Sequence, residues 1–265
     1  MKSTLSRIED IKRNGYSLDF STVFNHAFEN YKKIALYSGL IILVFSILFG
    51  MAFMAGLVTY LGIENISKDF IERFDPQNLT YVELLSSTAA ISLITALVAP
   101  FGAGFLKMAD SADQDITFNV STIFTYYKAP YFAQIFIASF IPTLIGTSIA
   151  NFLDSIGVLL VGNLISFIIS YFMFLTIPLV IFGNLRALDA IKGSLAIVTK
   201  DPITIFAFFI VGFFGSMVGF FACCIGVIFT AVFNTSVAYA VYFAIFGVEN
   251  TKDPIDSIGE SDFKY

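Results

Sequence analysis

The chain has 265 residues, of which 57% are hydrophobic and only 13% charged, far below the roughly 25% charged fraction of soluble domains, so a lipid solvent is expected. The net charge of −5 comes mostly from acids in the 63–83 loop and the C-terminal tail, and the 32 Phe and 12 Tyr lie mostly in apolar runs instead of interleaving with a basic face; nucleic-acid binding is set aside. One histidine and two adjacent cysteines, Cys223 and Cys224, form no spaced ligand set, so no metal or cofactor is expected and the cysteine pair reads as apolar packing.

Residues 1–33 carry six basic residues (Lys2, Arg7, Lys12, Arg13, Lys32, Lys33) and helical periodicity. A cleaved leader would have a short charged start and a small-residue cleavage site, so this segment reads as part of the mature chain. Within DFSTVFNHAFENYKK, residues Phe20, Val23, Phe24, Phe28 and Tyr31 recur at spacings of three or four and make one apolar stripe, with Asp19 and Ser21 available as caps. His26 falls on the polar side of that helix and reads as lone and exposed.

A bilayer core about 30 Å thick needs about 20 apolar residues in a helix. Six such runs are present, near 34–62, 84–106, 131–153, 157–183, 203–222 and 226–247. The third and fourth are joined by Asp154, Ser155 and Ile156, and the fifth and sixth turn around ACCIG, where Gly226 can bend the backbone. Two further amphipathic segments precede the third and fifth runs: ITFNVSTIFTYYK, with Ile116, Val120, Ile123, Phe124 and Tyr127, and LRALDAIKGSLAIVTK, with Leu188, Ile191, Leu195 and Val198, closed by Asp201 and Pro202. The expected architecture is therefore an all-α polytopic membrane domain over residues 1–247. Its six transmembrane helices form three hairpins, each preceded by an amphipathic interfacial helix, and an acidic tail follows over 248–265. These amphipathic segments read as connectors, since none has the polybasic cluster that captures anionic lipid.

Thirteen Lys and Arg fall on the side of the termini and amphipathic segments, and only Lys68 and Arg73 on the other. The positive-inside rule then places both termini and all three amphipathic segments in the cytoplasm and the acidic loop outside.

No HExxH, P-loop or nucleophile-elbow pattern occurs in a fitting context, and the six runs hold no ionisable residue at mid-depth. What lies inside is neutral. Asn163 and Asn234 are expected to bond across helices. Pro142 and Pro178, with Pro100, free helix carbonyls and either kink the packing or line a cavity. Gly212, Gly215 and Gly219 make a small-residue face for close contact, with the sixth run or with a second copy of the chain. Asp110, Asp113 and Asp115 would be the convergent groups of a membrane-embedded enzyme, but SADQD reads more simply as a solvated loop.

The C-terminal part carries FLTIPLVIFGNLRALDAIKGSLAIVTKDPITIFAFFIVGFF and then CCIGVIFTAVFNTSVAYAVYFAIFG. It resembles bacterial membrane proteins related to the membrane domain of glycerophosphodiester phosphodiesterases. Asp189, Ala190, Ile191, Ser194 and Lys200 match that family's short amphipathic helix, and Ala238, Tyr239 and Tyr242 match its last span. The resemblance implies a non-catalytic membrane domain, so no residue inherits a catalytic role. The leading expectation is a non-enzymatic scaffold or accessory component of a bacterial inner membrane. Its partners would be the lipid bilayer and a membrane protein or second copy. The alternative is a transporter or lipid-handling protein with a cavity near Asn163, Pro178 and Asn234.

Overall fold

Apolar residues in unbroken runs leave the backbone no water to bond with, so the chain satisfies its N–H and C=O groups within helices. The computed structural model describes residues 4–61, 79–158, 160–221 and 226–247, and among them there is no strand. Six stretches are long and apolar enough to cross a bilayer: Phe20–Thr59, Tyr81–Asp113, Tyr131–Ser155, Val161–Ile181, Pro202–Phe221 and Gly226–Phe246. This is a multi-pass membrane protein. Cys223, Cys224, Lys68, Arg73 and the tail 248–265 lie outside the described residues.

Helix α1 (Thr4–Asn14) precedes α2, a single helix of 42 residues, Phe20–Leu61. The first amphipathic segment is thus continuous with its span and is no separate interfacial helix: no breaker separates Lys33 from Ile34, so the ladder runs through. At 1.5 Å per residue α2 is roughly 63 Å long, twice the hydrocarbon thickness. Helix α3 (Tyr81–Asp113) starts on a capping box formed by Thr80 and Glu83 and also outruns the bilayer. The second amphipathic segment is not α-helical but a 3-10 helix, Val120–Tyr127, capped by Asn119. It folds back along α3, where Gly104 lets the Ile123 backbone approach, and Tyr127 donates to the Leu97 carbonyl (3.1 Å).

Helix α4 (Tyr131–Ser155) runs antiparallel to α3, with Ser92 against Thr147 (3.2 Å) and Asn151 donating to Thr88 (2.8 Å). The fourth run is broken into α5 (Val161–Phe172) and α6 (Thr176–Ile181). Helix α7 (Ala187–Val198) is the third amphipathic segment, and it accounts for the break. Its buried Ser194 donates to the Phe172 carbonyl (2.7 Å) and accepts from the Leu175 N–H (3.2 Å), satisfying both groups that the interrupted ladder leaves over.

Helix α8 (Pro202–Met217) is capped by Asp201 and continues as a 3-10 turn to Phe221. The last run comprises α9 (Gly226–Thr230) and α10 (Phe233–Phe246). Around this second break Ser216 accepts from the Asn234 N–H (3.1 Å), and Thr230 donates to the Ser216 carbonyl (2.6 Å).

Burial is uneven along the axis. Only 6% of the most apolar stretch of α2 is buried, against 56% for the last span, so α2 offers its side chains to lipid. The tightest packing lies at the end that holds both Thr4 and Gly247. There Met108, Ala109, Ile197, Val198, Leu179, Val237 and Ala240 are buried together with Ile8 and Ile11 of α1. Arg7 bonds the Ile245 carbonyl (3.1 Å) near the end of α10, and Tyr16 bonds the Ile197 carbonyl (3.0 Å) after α1. Ile34, Ile41, Ile135, Phe174 and Phe208 carry the same cluster along the apolar stretches, so the core runs from the helix ends into the spans.

Candidate functional site

Two places gather polar chemistry. The first is a node where α2, α3 and α10 meet at the basic end. His26 Nε2 lies 2.9 Å from Asp113 Oδ1, and the Tyr239 hydroxyl donates to Asp113 Oδ2 (3.1 Å). One turn along α2, Asn30 donates to the Ala109 carbonyl (2.7 Å) and accepts from Ser236 (3.1 Å). Lys33 donates to the Ala112 carbonyl and to Asp115, while Lys107 and Gln114 both donate to Asp110 (2.7 Å each).

This overturns two expectations. Asp110 and Asp113 belong to the last turns of α3, with Asp110 buried, and are no solvated loop; only Asp115 is exposed. His26 is half-buried and partnered, because α3 extends past the bilayer far enough to meet the polar face of α2. A signal for this existed: His26, Asn30 and Lys33 are spaced four and three apart, as are Asp110 and Asp113 at three, so each set shares a helix face. His26, Asn30 and Lys33 of α2 and Ser236 and Tyr239 of α10 bond across to α3 or to one another, while Lys107 and Gln114 hold Asp110 along α3, so the node joins three spans.

The second place is a groove of about 730 Å³ between α3 (94–102), α4 (138–147) and the α5–α6 segment (166–177). Its walls are apolar, Phe101 and Met173 among them, except for the hydroxyls of Thr95, Ser139, Thr143, Thr147, Ser166, Ser170 and Thr176. Sequence reasoning missed them, although Ser139, Thr143 and Thr147 recur at four-residue spacing on α4, and Ser166 and Ser170 do so on α5. No Asp, Glu, Lys, Arg or His lines it. Its volume falls within the range of drug-sized and cofactor sites, roughly 300–1,000 Å³.

The structure separates the predicted site residues. Pro142 lines the groove. Its ring carries no N–H, so the Ala138 carbonyl one turn earlier, also on the groove wall, has no α-helical donor. Pro178 does not line the groove; it is buried in the first turn of α6, where the missing N–H would have been unpaired anyway. It starts a helix and kinks none. Asn163 is exposed in the first turn of α5, not at the buried position expected of an amide that bridges two helices. Asn234 sits in the α8–α10 contact, where its side-chain oxygen meets Gly212 and has no hydrogen-bond partner among the described residues. Gly215 faces the Phe233 ring and Gly219 the Gly226 backbone. The small-residue face is thus used within the chain, by the last span. None of Asn163, Pro178 and Asn234 lines the groove, and packing is tight at the last two.

Burial pushes the hydroxyls of Tyr16 and Tyr126 up from their ordinary values, helped by the charge of Asp201 for the former and of Asp110 for the latter, so both are neutral at any physiological pH. Comparison with known proteins finds no match to a protein-family model, to a curated protein or to a solved structure.

Proposed function

We propose that this chain is a non-enzymatic, lipid-handling protein of a bacterial inner membrane. It would hold one membrane-embedded molecule in the groove between α3, α4 and α5–α6. The observation that carries this reading is a groove of about 730 Å³ at mid-span whose only polar lining is hydroxyl. Such a wall orients a ligand, yet it has no ionisable group to serve as acid or base. Both termini and the basic end are taken as cytoplasmic on the count of Lys and Arg. We further infer three hairpin units, the first led by the amphipathic start of α2 and the other two by the separate segments 120–127 and 187–198.

The scaffold reading is kept as the second, because the glycine face and the α2–α3–α10 node are spent on internal packing, as in a rigid frame. The two separate on Gly102, which lines the groove and has open space where a Cβ would stand. Native mass spectrometry of the detergent-purified protein should find one lipid retained per chain, and G102F, which fills the groove, should lose it at an unchanged thermal midpoint. A wild-type protein that retains no lipid, or a G102F variant that retains it equally, would leave the scaffold reading alone.

A further inference from the structure

We propose that the groove selects an uncharged lipid alcohol, a ligand that brings a hydrogen-bond donor and no phosphate; this rests on the reading of the groove as a lipid site. The argument starts from where the hydroxyl protons go. Thr147 donates to the Thr143 carbonyl (2.7 Å), Ser166 to the Gly146 carbonyl (3.0 Å) and Ser170 to the Ser166 carbonyl (2.9 Å). A serine or threonine has one proton and two lone pairs, so once the proton is bound to backbone the oxygen can meet a ligand only as an acceptor, Thr147 with the lone pair that Ser92, 3.2 Å away, leaves over. Pro142 also leaves the carbonyl of Ala138, itself a groove residue, without its helical donor. Acceptors therefore stand on both α4 and α5, among the residues that line the groove.

That pattern sorts ligands by charge and by donor count. A phosphate brings negative charge and no donor: no cation lines the groove to meet it, and Thr147, Ser166 and Ser170 offer it lone pairs only. The next cation along α3, Lys107, is held by Asp110 at 2.7 Å and is not among the groove residues. An ammonium headgroup does donate, but no carboxylate lines the groove to neutralise it at membrane depth, where an isolated charge costs several kcal/mol. A free hydroxyl on an otherwise apolar molecule satisfies both conditions: it donates to the acceptors and carries no charge, while its chains lie on the apolar wall.

The test uses vesicles of dioleoylphosphatidylcholine containing equal amounts of dioleoylglycerol and dioleoylphosphatidylglycerol. The full chain is reconstituted, extracted in mild detergent, and the retained lipid is counted by native mass spectrometry. Wild type should retain dioleoylglycerol over dioleoylphosphatidylglycerol by about tenfold or more, the worth of one to two hydrogen bonds. The pair T147V and S166A should lower that preference to about threefold or less, whereas Thr147→Ser, which keeps the acceptor, should preserve it even if the double variant does not fold. Equal retention, or preference for the phosphate lipid, overturns the alcohol class; if G102F still removes that lipid, the site survives and only the class fails. Retention of either lipid that G102F leaves untouched overturns the site and the class together.

Discussion

Removing the Ser194 hydroxyl should leave the Phe172 carbonyl and the Leu175 N–H unpaired in a buried place, a cost of about 1–3 kcal/mol. S194A is therefore expected to lower the thermal midpoint in detergent, and an unchanged midpoint would show that the break between α5 and α6 is closed by something else. At the node, a double-mutant cycle of His26→Ala and Asp113→Asn should give a coupling of about 0.5–3 kcal/mol, since the two side chains touch and share Tyr239 as a partner. Additivity would mean that the pair is incidental, as the sequence reading held. The cap at α2 offers a pH-dependent case. Hydrogen bonds from Thr22, through its side chain and its N–H, hold the Asp19 carboxyl below the usual carboxylate range. The folded value is the lower one, so the cap's contribution is present above about pH 4 and is lost as pH falls through the folded value. Asp19→Asn should remove that acid sensitivity, read as helicity or midpoint against pH, while leaving an acceptor in place.

Among the elements, the glycine face makes the clearest prediction. Gly219 abuts the Gly226 backbone, which has no flexible end to give way. Gly219→Ala is thus expected to destabilise by about 1–3 kcal/mol through overpacking, whereas Gly102→Ala, into open space, should not. Loss of oligomer with an unchanged midpoint in Gly219→Ala would instead place the face between chains. The elements also show what a single sequence reveals. Hydropathy is a local property, so the six apolar runs are legible from composition alone. The interruptions at 173–175 and 231–232 are not, because the groups that make them tolerable, Ser194 and Ser216, come from other helices. The groove was half legible: its hydroxyls repeat every fourth residue on α4 and α5, but that those two faces meet each other depends on packing which no repeat encodes. Asn163 and Asn234 misled for the opposite reason, since an amide in an apolar run suggests a partner helix, and depth and facing decide whether one is there.

For the molecule as a whole, the proposed orientation is open to direct measurement. In a background without Cys223 and Cys224, a cysteine at Asn14 should resist a membrane-impermeant maleimide in intact cells and react after permeabilisation. A cysteine at Ile156, in the opposite loop, should react in intact cells. The reverse pattern would invert the molecule and put the basic end outside. Both positions are exposed, so accessibility depends on the membrane and not on the fold.

The uneven burial of the first and last spans also bears on biosynthesis. A helix with 6% of its apolar stretch buried can reside in lipid alone, whereas one that is 56% buried has little surface left for lipid and needs its neighbours in place. Since α2 and α3 leave the ribosome before α10, Asn30 and Asp113 await Ser236 and Tyr239 until that span arrives. The last helix thus acts as a keystone, and a chain stopped before Gly226 would present unpaired polar groups where membrane quality control can find them.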